Sequence, residues 1–288
     1  MTTLVTGANG TISSHLLTLL AGSHDGPLRA LVRPGRPAPE VRGVDVVQGD
    51  LDRPDSLTAA MSGVSTLWLL TAAGPLAPHQ SSNAIWAARA AGVDHVVRLS
   101  AIGAAYDAPT RNGRLHALSD AELAASGIPW TIIRPSAFMQ SLLPSVVDGT
   151  LYHNWGDGRV GFIDARDIAE LAARVLSGPA EHANRTYTIT GPRSVSIAEA
   201  ASLMSGGLDR PITAREIPTD AVVGSMSGAG VSEWLAEVVG REYGAAYRSG
   251  WGDFVTQDFQ SVVGRPARGF ADFARDHAVV LGGQPVAT

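Results

Sequence analysis

Residues 2–22, TTLVTGANGTISSHLLTLLAG, constrain the fold of this chain more than any other stretch. An apolar pair, Leu4-Val5, meets a glycine-containing turn, and a periodic apolar segment from Ile12 to Leu20 follows. A short apolar run followed by helical periodicity is typical of a strand that turns tightly into a helix. The stretch therefore predicts the first βα unit of an α/β protein.

The turn of this βα unit predicts an anion site. Its spacing is Gly7-x-x-Gly10-x-x-Ser13, with a serine where a three-glycine dinucleotide fingerprint has its third glycine. Glycines let the backbone approach an anion, and the positive end of the helix points at it, so the natural ligand is a pyrophosphate. The alternative is an ordinary glycine-containing turn. The candidate cofactor-binding residues in this turn are Gly7, Asn9, Gly10, Thr11 and Ile12.

Composition narrows the classes of function. The chain has 288 residues, 45% of them hydrophobic, which is enough for one large core or two modest ones. A net charge of −5 without a long basic run argues against nucleic acid or an anionic membrane surface as a partner. The absence of cysteine excludes disulfides and thiolate zinc sites, and no apolar run approaches the ~20 residues of a membrane span. We expect a cytoplasmic protein without a metal, acting as a monomer or homodimer.

Strand and helix signals alternate regularly through the first half of the chain. The helices between strands are long enough for parallel crossovers, so the predicted fold class is α/β with a doubly wound parallel (Rossmann) sheet. We place a nucleotide-binding domain at residues 1–150, with a return strand near 186–190, and a smaller substrate-binding lobe at 151–288, forming one wall of a cleft. The predicted strands span 4–5, 28–33, 44–48, 66–71, 93–100 and 130–134. The predicted helices include one capped by Asp55-Ser56 and those at 79–91, 116–126, 138–147, 164–176, 196–206 and 269–278.

The loop after the second strand predicts which nicotinamide cofactor binds. An NAD-binding fold places an acidic residue at the end of this strand, where it binds the ribose 2′-hydroxyl; here that place holds Arg33, followed by Arg36. Arginines favour the extra 2′-phosphate of NADP(H), although a solvated basic loop is the alternative. Further cofactor candidates at strand ends, which could equally be ordinary strand-end residues, are Asp50 and Leu51 for the adenine, and Thr71, Ala72 and Ala73 for the ribose and nicotinamide.

Six segments spread over nearly the whole chain carry a family resemblance. They are LVTGANGTISSHLL, VVQGDLDRPDSL, AARAAGVDHVVRLSAIGA, ASGIPWTIIRPSAFMQSLL, GFIDARDIAELAARVL and TYTITGPRSVSIAEAA. In this order they resemble the NmrA-like branch of the atypical short-chain dehydrogenase/reductases. That family includes NADP(H)-dependent quinone oxidoreductases, triphenylmethane reductases and isoflavone-reductase relatives, and also NADP-binding regulators that catalyse nothing. The resemblance implies the fold more firmly than the reaction.

The resemblance also guides the choice of catalytic residues. Ordinary short-chain dehydrogenases use a serine after the fifth strand and a Tyr-x-x-x-Lys pair; Ser100 stands where that serine would be, but Asn112 and His116 replace the pair. Counted back from Gly127, His116 falls where isoflavone-reductase-like relatives carry a functional lysine, and a histidine there resembles the quinone-reductase members. We predict His116 as a hydrogen-bond donor or general acid, oriented by Asp120 and assisted by Ser100. The alternative is a histidine at a helix N-terminus that hydrogen-bonds locally.

Apolar and aromatic side chains beyond the sixth strand are candidates for the nicotinamide and acceptor sides of the site. Methionine and phenylalanine at helical spacing are more often core, and tryptophans in glycine-rich loops either stack on an aromatic substrate or anchor those loops. The candidates are Pro135 for the cofactor and Phe138, Met139, Trp155, Trp234 and Trp251 for the substrate.

These features together predict an NADP(H)-dependent reductase that transfers hydride to a small conjugated acceptor such as a quinone or enone. One alternative is a redox-sensing regulator that binds NADP(H) without turnover. Another is a cofactor-independent cyclase or isomerase on the same fold, suggested by Ser13 and by the missing tyrosine and lysine. The partner of the predicted reductase is a small, aromatic or conjugated molecule, with neither nucleic acid nor membrane involved.

Overall fold

A computed structural model describes residues 1–23 and 26–282 of the chain. The chain forms two compact units, each built from several segments. The first unit comprises Met1–Ala108, Asn112–Arg134 and Ile168–Thr188, and the second comprises Pro109–Arg111, Pro135–Asp167 and Ile189–Thr288. The division into a nucleotide-binding domain at 1–150 and a substrate lobe at 151–288 stays a prediction.

The strands of the described residues are short and mostly follow the apolar runs of the sequence. In chain order they are β1 (Thr3–Val5), β2 (Leu28–Val32), β3 (Val44–Gln48), β4 (Thr66–Leu69), β5 (His95–Leu99), β6 (Trp130–Pro135), β7 (Val146–Val147), β8 (Thr150–His153), β9 (Arg159–Val160), β10 (Arg185–Ile189), β11 (Val195–Ser196) and β12 (Thr213–Glu216).

The helices of the described residues are α1 (Thr11–Ser23), α2 (Leu57–Met61), α3 (Ala77–Ala91), α4 (Arg111–Ala125), α5 (Ala165–Ser177), α6 (Ile197–Ser205), α7 (Thr219–Gly228), α8 (Glu233–Ala236), α9 (Gly244–Arg248), α10 (Asp258–Val263) and α11 (Phe270–Asp276). Short 3₁₀ segments span Pro54–Ser56, Met139–Ser145 and Pro179–His182, and a π-helical stretch, Glu237–Tyr243, joins α8 to α9.

The main sheet has the strand order β10-β6-β5-β4-β1-β2-β3 among the described residues. β1 pairs in parallel with β2 on one side and with β4 on the other, so the direction of winding reverses there. Ligands of open α/β sheets bind outside the carboxyl ends of the strands at such a reversal. The topology confirms the predicted doubly wound α/β class.

Burial of both faces of the central strands stabilises this sheet. β4 and β5 are buried along their whole length. Helix α1, which packs against β2, buries Leu16, Leu17 and Leu20 completely. Each such leucine contributes roughly 2 kcal/mol through the apolar surface that it removes from water. The first helix is therefore held firmly behind the glycine turn.

The second unit has a hydrophobic core of its own. Phe162, Ile197, Met204 and Phe273 are among its most deeply buried members. Its strands form a small sheet of order β12-β8-β7 and a pair β11-β9. A capping box begins α6: Ser196 Oγ accepts a hydrogen bond from the Glu199 N–H (3.2 Å), and the Ser196 N–H donates to Glu199 Oε2 (2.8 Å).

Three local predictions are wrong. Ser56 does not cap α2; its Oγ donates to Arg53 O (2.7 Å) and accepts from the Asp50 N–H (2.9 Å), so it serves the turn after β3. Helix α4 begins at Arg111, which places His116 in the second turn and not at the N-terminus. The glycines and serines of the region 217–264 predict loops, but this region contains α7, α8, α9 and α10.

Candidate functional site

The glycine turn after β1 has a backbone shape that side chains would disturb. Gly7 has a φ of +60°, and a Cβ on it would lie 2.8 Å from Leu70 Cδ2. A Cβ on Gly10 would lie 3.1 Å from Gly7 O, which also accepts a hydrogen bond from the Gly10 N–H (2.8 Å). The backbone conformation therefore favours glycine at position 7, and a side chain at position 10 would crowd the carbonyl of Gly7.

Ser13 replaces the third glycine of the fingerprint without entering the crevice. Its side chain is buried, and its Oγ donates to Thr6 O (3.0 Å). The indole Nε1 of Trp68 donates to Ser13 Oγ (3.0 Å). The hydroxyl thus satisfies a buried donor of β4 and ties α1 to the end of β1. The serine is compatible with a ligand over the turn, which removes one motive for a cofactor-independent enzyme.

The amino end of α1 fits a pyrophosphate. The first bond of the helical ladder runs from the Ser14 N–H to Gly10 O (2.9 Å), so the N–H groups of Thr11, Ile12 and Ser13 have no acceptor within the helix. Asn9, Gly10 and Thr11 are exposed, and the first turn of α1 carries no acidic residue that would repel an anion. The residues present therefore fit the diphosphate group of a dinucleotide.

The predicted phosphate-binding arginines lie on an exposed turn after β2. The Arg36 N–H donates to Arg33 O (3.0 Å), and both side chains are exposed. Asn9 Nδ2 donates to Pro37 O (2.9 Å), which fastens this turn to the glycine turn. The structure thus brings Arg33 and Arg36 to the same edge of the sheet as the amino end of α1, and Asn9 links the two turns.

The remaining cofactor candidates of the first unit follow β3 and β4 at the same edge. Asp50 Oδ1 accepts from the Asp52 N–H (3.0 Å), and Leu51 O accepts from Asn83 Nδ2 (2.8 Å), so these bonds shape the turn after β3. After β4, Thr71 is half-buried, and its neighbours Ala72 and Ala73 are exposed. Their contact with adenine, ribose or nicotinamide stays a prediction.

A buried cluster of charges lies where β5 and β6 end beside α4. Asp120 is its centre: one oxygen accepts from Arg98 Nη1, and the other accepts from Ser100 Oγ (2.8 Å) and from Arg134 Nε and Nη2 (3.1 and 2.9 Å). The side chain of Arg98 is 1% exposed and that of Asp120 is 5% exposed, whereas that of Arg134 is 28% exposed. The Ser100 hydroxyl donates its hydrogen bond to Asp120. Toward a substrate it can therefore act only as a hydrogen-bond acceptor.

His116 joins this cluster through an arginine. Arg98 Nη2 lies 3.2 Å from His116 Nδ1. Within the described part of the chain, this is the one hydrogen bond that the imidazole ring makes. The predicted i, i+4 contact with Asp120 is therefore replaced by an arginine between the two residues. Burial, and then the positive charges of Arg98 and Arg134, lower the pKa of His116 to about 3. A pKa this far below 7 favours a neutral ring, and with it the predicted hydrogen-bond donor over the predicted general acid.

A cavity of about 510 Å³ opens beside this cluster in the first unit. Asp120 and Arg134 reach it together with Tyr106, Ala117, Ala121 and Ile132. The outer side of the cluster is therefore accessible to small molecules, while Arg98 lies beneath it.

The substrate candidates lie in the second unit. Trp155 stacks on Phe162 with ring centroids 5.4 Å apart, and both Trp155 and Trp251 pack against Tyr247. These contacts support the alternative that the tryptophans anchor loops. Met139 is 1% exposed and lines a cavity of about 130 Å³, Phe138 is half-buried beside a buried Pro135, and the Trp234 ring lies 5.9 Å from the Arg111 guanidinium. Their roles toward a substrate stay predictions.

Sequence reasoning passed over Arg98 and gave Arg134 no role of its own. A signal was present, because HVVRL and TIIRP each place an arginine inside an apolar strand of a buried parallel sheet. Charged side chains are almost never fully buried unless they are paired. Two arginines in neighbouring strands therefore indicate a shared carboxylate.

Across residues 1–23 and 26–282, no helix is long and apolar enough to cross a bilayer. Over the same residues, histidine, aspartate and glutamate side chains do not gather in a group that could hold a metal ion.

Comparisons with known proteins agree with the cofactor crevice. Residues 7–179 match a family model described as NAD(P)H-binding. The chain is 39% identical over 291 residues to an NAD(P)H azoreductase of Xenophilus azovorans, covering 97% of this chain and 99% of the relative. It is also 33% identical over 287 residues to a (4-alkanoyl-5-oxo-2,5-dihydrofuran-3-yl)methyl phosphate reductase of Streptomyces griseus. That alignment covers 96% of this chain and 97% of the relative.

A solved structure extends the comparison to the fold. The triphenylmethane reductase of Citrobacter sp., crystallised with NADP(H), superposes with a TM-score of 0.82 at 25% identity, covering 96% of this chain and 99% of that one. The predicted Rossmann fold and the predicted nicotinamide dinucleotide cofactor are confirmed.

Proposed function

Because the chain belongs to the NAD(P)H-binding family, we propose that it is an NAD(P)H-dependent reductase acting on a small, flat, conjugated acceptor. Azo compounds, quinones and enones are the acceptor classes we expect. The names of its relatives support this choice: an azo group, a dihydrofuranone and a triphenylmethane dye are all conjugated electron acceptors. The monomeric or homodimeric state and the cytoplasmic location stay predictions.

The observation that carries the proposal is the amino end of α1 at the winding reversal of the sheet. There the glycine turn, the N–H groups of Thr11 and Ile12, and the adjoining Arg33 and Arg36 offer a diphosphate and a 2′-phosphate their complementary charges. We infer that NADPH binds in preference to NADH. When bound, this cofactor supplies the hydride, and the protein supplies binding, orientation and electrostatics.

The polar groups that we assign to the acceptor are His116 and Ser100. His116 offers a ring N–H, and Ser100, whose proton goes to Asp120, offers only lone pairs. A donor aimed at the atom where negative charge develops lowers the barrier, and loss of one such donor costs about 10²-fold in kcat. His116→Ala should therefore lower kcat by about 10² while leaving NADPH affinity unchanged. Equal turnover in the variant would remove His116 from the reaction.

The proposal is tested by supplying NADPH with one acceptor at a time and following the loss of nicotinamide absorbance. A sulfonate-free azo dye, a benzoquinone and an α,β-unsaturated ketone form the panel, with the matching saturated ketone as the control. We expect consumption with at least one conjugated acceptor and none with the saturated ketone. Tight NADPH binding without consumption would support the regulator instead, and turnover of a substrate without nucleotide would support the cofactor-independent enzyme.

A further inference from the structure

Arg98 occupies an unusual place for a charged side chain. It lies inside β5, with a side chain that is 1% exposed. A buried guanidinium is tolerated only where a charge and hydrogen bonds compensate for its lost hydration. Asp120 supplies that charge through Nη1, whereas Nε has no hydrogen-bond partner among the described residues. The guanidinium is therefore held chiefly through its two terminal nitrogens.

Asp120 fixes the direction in which Arg98 points. One carboxylate oxygen accepts from Arg98, and the other accepts from Ser100 Oγ at 2.8 Å and from the Arg134 fork at 2.9 and 3.1 Å. Four donors from three residues hold this carboxylate, so it cannot turn without breaking several charge-assisted hydrogen bonds. Nη2 of Arg98 is thereby directed at the ring of His116.

This contact determines which nitrogen of His116 carries the proton. A guanidinium has donors and no acceptor, so the ring nitrogen that it touches must be the bare one. That nitrogen is Nδ1, at 3.2 Å from Arg98 Nη2. In a neutral imidazole the proton then sits on Nε2. Nε2 has no hydrogen-bond partner among the described residues, and the residue is only partly buried, so we assign this N–H to the acceptor.

We propose that Arg98, held by Asp120, is a positioning residue that locks His116 as a neutral imidazole with its proton on Nε2, so that His116 serves the acceptor as a neutral hydrogen-bond donor. The inference rests on the proposed function and specifies how His116 works in it. No proton leaves the ring, and the proton that completes reduction of the acceptor comes from water. Because the ring nitrogen opposite the N–H faces a cation, the N–H is a stronger donor than that of a free imidazole.

The charges around His116 all favour this state. Arg98 approaches from β5 and Arg134 from β6, while Asp120, on the same helix, is occupied by both arginines. A proton added to Nδ1 would bring a third positive charge next to the two guanidinium groups and abolish the bond from Arg98. The geometry and the direction of the pKa, lowered to about 3, agree.

The lock is tested on the protein alone by two-dimensional NMR of the histidine side chains in ¹⁵N-labelled protein. The chain has eight histidines, and the signal that disappears in His116→Gln identifies His116. We expect a protonated Nε2 and a bare Nδ1 at every pH from 8 down to 5. A proton on Nδ1, or titration of the ring near pH 6.5, would overturn the proposal without any variant of Arg98.

A matched pair of variants assigns the lock to Arg98. Arg98→Lys and Arg134→Lys both keep the positive charge next to Asp120, but only the first removes the N–H that meets His116 Nδ1. We expect a mixture of the two ring tautomers in Arg98→Lys and the wild-type tautomer in Arg134→Lys. The same tautomer in wild type and Arg98→Lys would contradict a positioning role.

Kinetics distinguish a neutral donor from an acid. Glutamine carries a neutral N–H₂ group but no transferable proton near pH 7, so His116→Gln should keep kcat within about tenfold of wild type, whereas His116→Ala loses about 10²-fold. Wild-type kcat/KM should stay flat from pH 5 to 8. An equal loss in both variants, or a fall in kcat/KM as pH rises through 6.5, would contradict the neutral donor. If no acceptor is turned over, the proposed function fails, and the NMR result still decides the lock.

Discussion

Two regions at the carboxyl edge of the main sheet present different kinds of chemical group. Around α1 the site is made of backbone: glycines, exposed N–H groups and a serine whose hydroxyl points into the core. Beside α4 it is made of side chains: Asp120 gathers two arginines and a serine, and one arginine holds His116. The first region binds by shape and dipole, whereas the second depends on charges that are costly to bury alone. Substitutions should therefore affect the two regions in different ways.

The largest effect should follow removal of the carboxylate. Asp120→Ala leaves Arg98 buried without its counter-charge, and breaking a buried ion pair from one side costs about 4 kcal/mol of unfolding free energy. Urea unfolding measures this loss. Asp220→Ala, which breaks the exposed pair with Arg241, is the control and should leave the midpoint unchanged. A small loss at Asp120 would mean that the cluster does not hold charge as described.

Acid should destabilise the first unit before its carboxylates titrate. Burial, and then the charge of His182, lower the pKa of His95 from 6.5 to about 4. As pH drops, His95 is therefore protonated in the unfolded chain before it is protonated in the folded protein. The free energy of unfolding falls between about pH 6.5 and 4, by roughly 3 kcal/mol for this residue. Urea unfolding at several pH values measures the slope.

A histidine pair provides the control for this acid effect. His95→Gln should reduce the slope between pH 6.5 and 4 without abolishing it, because His116, whose pKa is lowered to about 3, also takes up a proton on unfolding. His79 lies on the exposed surface of α3, and His79→Gln should have the same slope as wild type. An equal slope in both variants would show that other groups cause the acid sensitivity.

Placing a glycine at position 13, the third glycine position of the fingerprint, should lower the free energy of unfolding. Ser13→Gly removes the acceptor of the fully buried Trp68 indole N–H, and an unsatisfied buried donor costs about 2 kcal/mol. Thermal or urea unfolding detects the loss, and NADPH affinity should not fall. In the Trp68→Phe background, which lacks the indole donor, the same change should cost less. A stabilised Ser13→Gly protein would contradict the role that we give this hydroxyl.

The smallest effect is expected at the phosphate-binding turn, because its arginines are exposed. Arg33→Ala should raise the Kd of NADPH about tenfold, the value of one charge-assisted contact of about 1.4 kcal/mol, and leave NADH binding unchanged. Arg42→Ala, another exposed arginine of the same loop, is the control. Nicotinamide fluorescence measures the Kd of NADPH and of NADH for wild type and for both variants. Equal losses for NADPH and NADH would show that Arg33 does not read the 2′-phosphate.

The glycine turn before α1 and the charge cluster beside α4 also differ in how far the sequence predicts them. The glycine turn is local, so its spacing alone predicts a cofactor crevice, and β3 lies at residues 44–48 as predicted. The cluster is not local: Arg98, Asp120 and Arg134 come from three elements, and only the strand pairing brings them together. The start of α4 was predicted five residues late, because Arg111 to Leu115 carry little helical periodicity.

The region 217–264 shows a different limit. Its glycines and serines favour loops when judged by propensity, yet it contains four α-helices. Ser232 caps α8, and Tyr247 of α9 joins the core of the second unit. Tertiary burial overrides weak propensity there. The same burial explains why the tryptophans of this lobe could not be assigned to substrate or core from the sequence.

The most direct test of the central claim is a crystal structure of the protein with NADPH. We predict the diphosphate against the N–H groups of Thr11 and Ile12 at the amino end of α1, with the 2′-phosphate at Arg33 and Arg36. A nucleotide bound elsewhere, or side chains filling the space above Gly7 and Gly10 while NADPH is present at saturating concentration, would contradict the account.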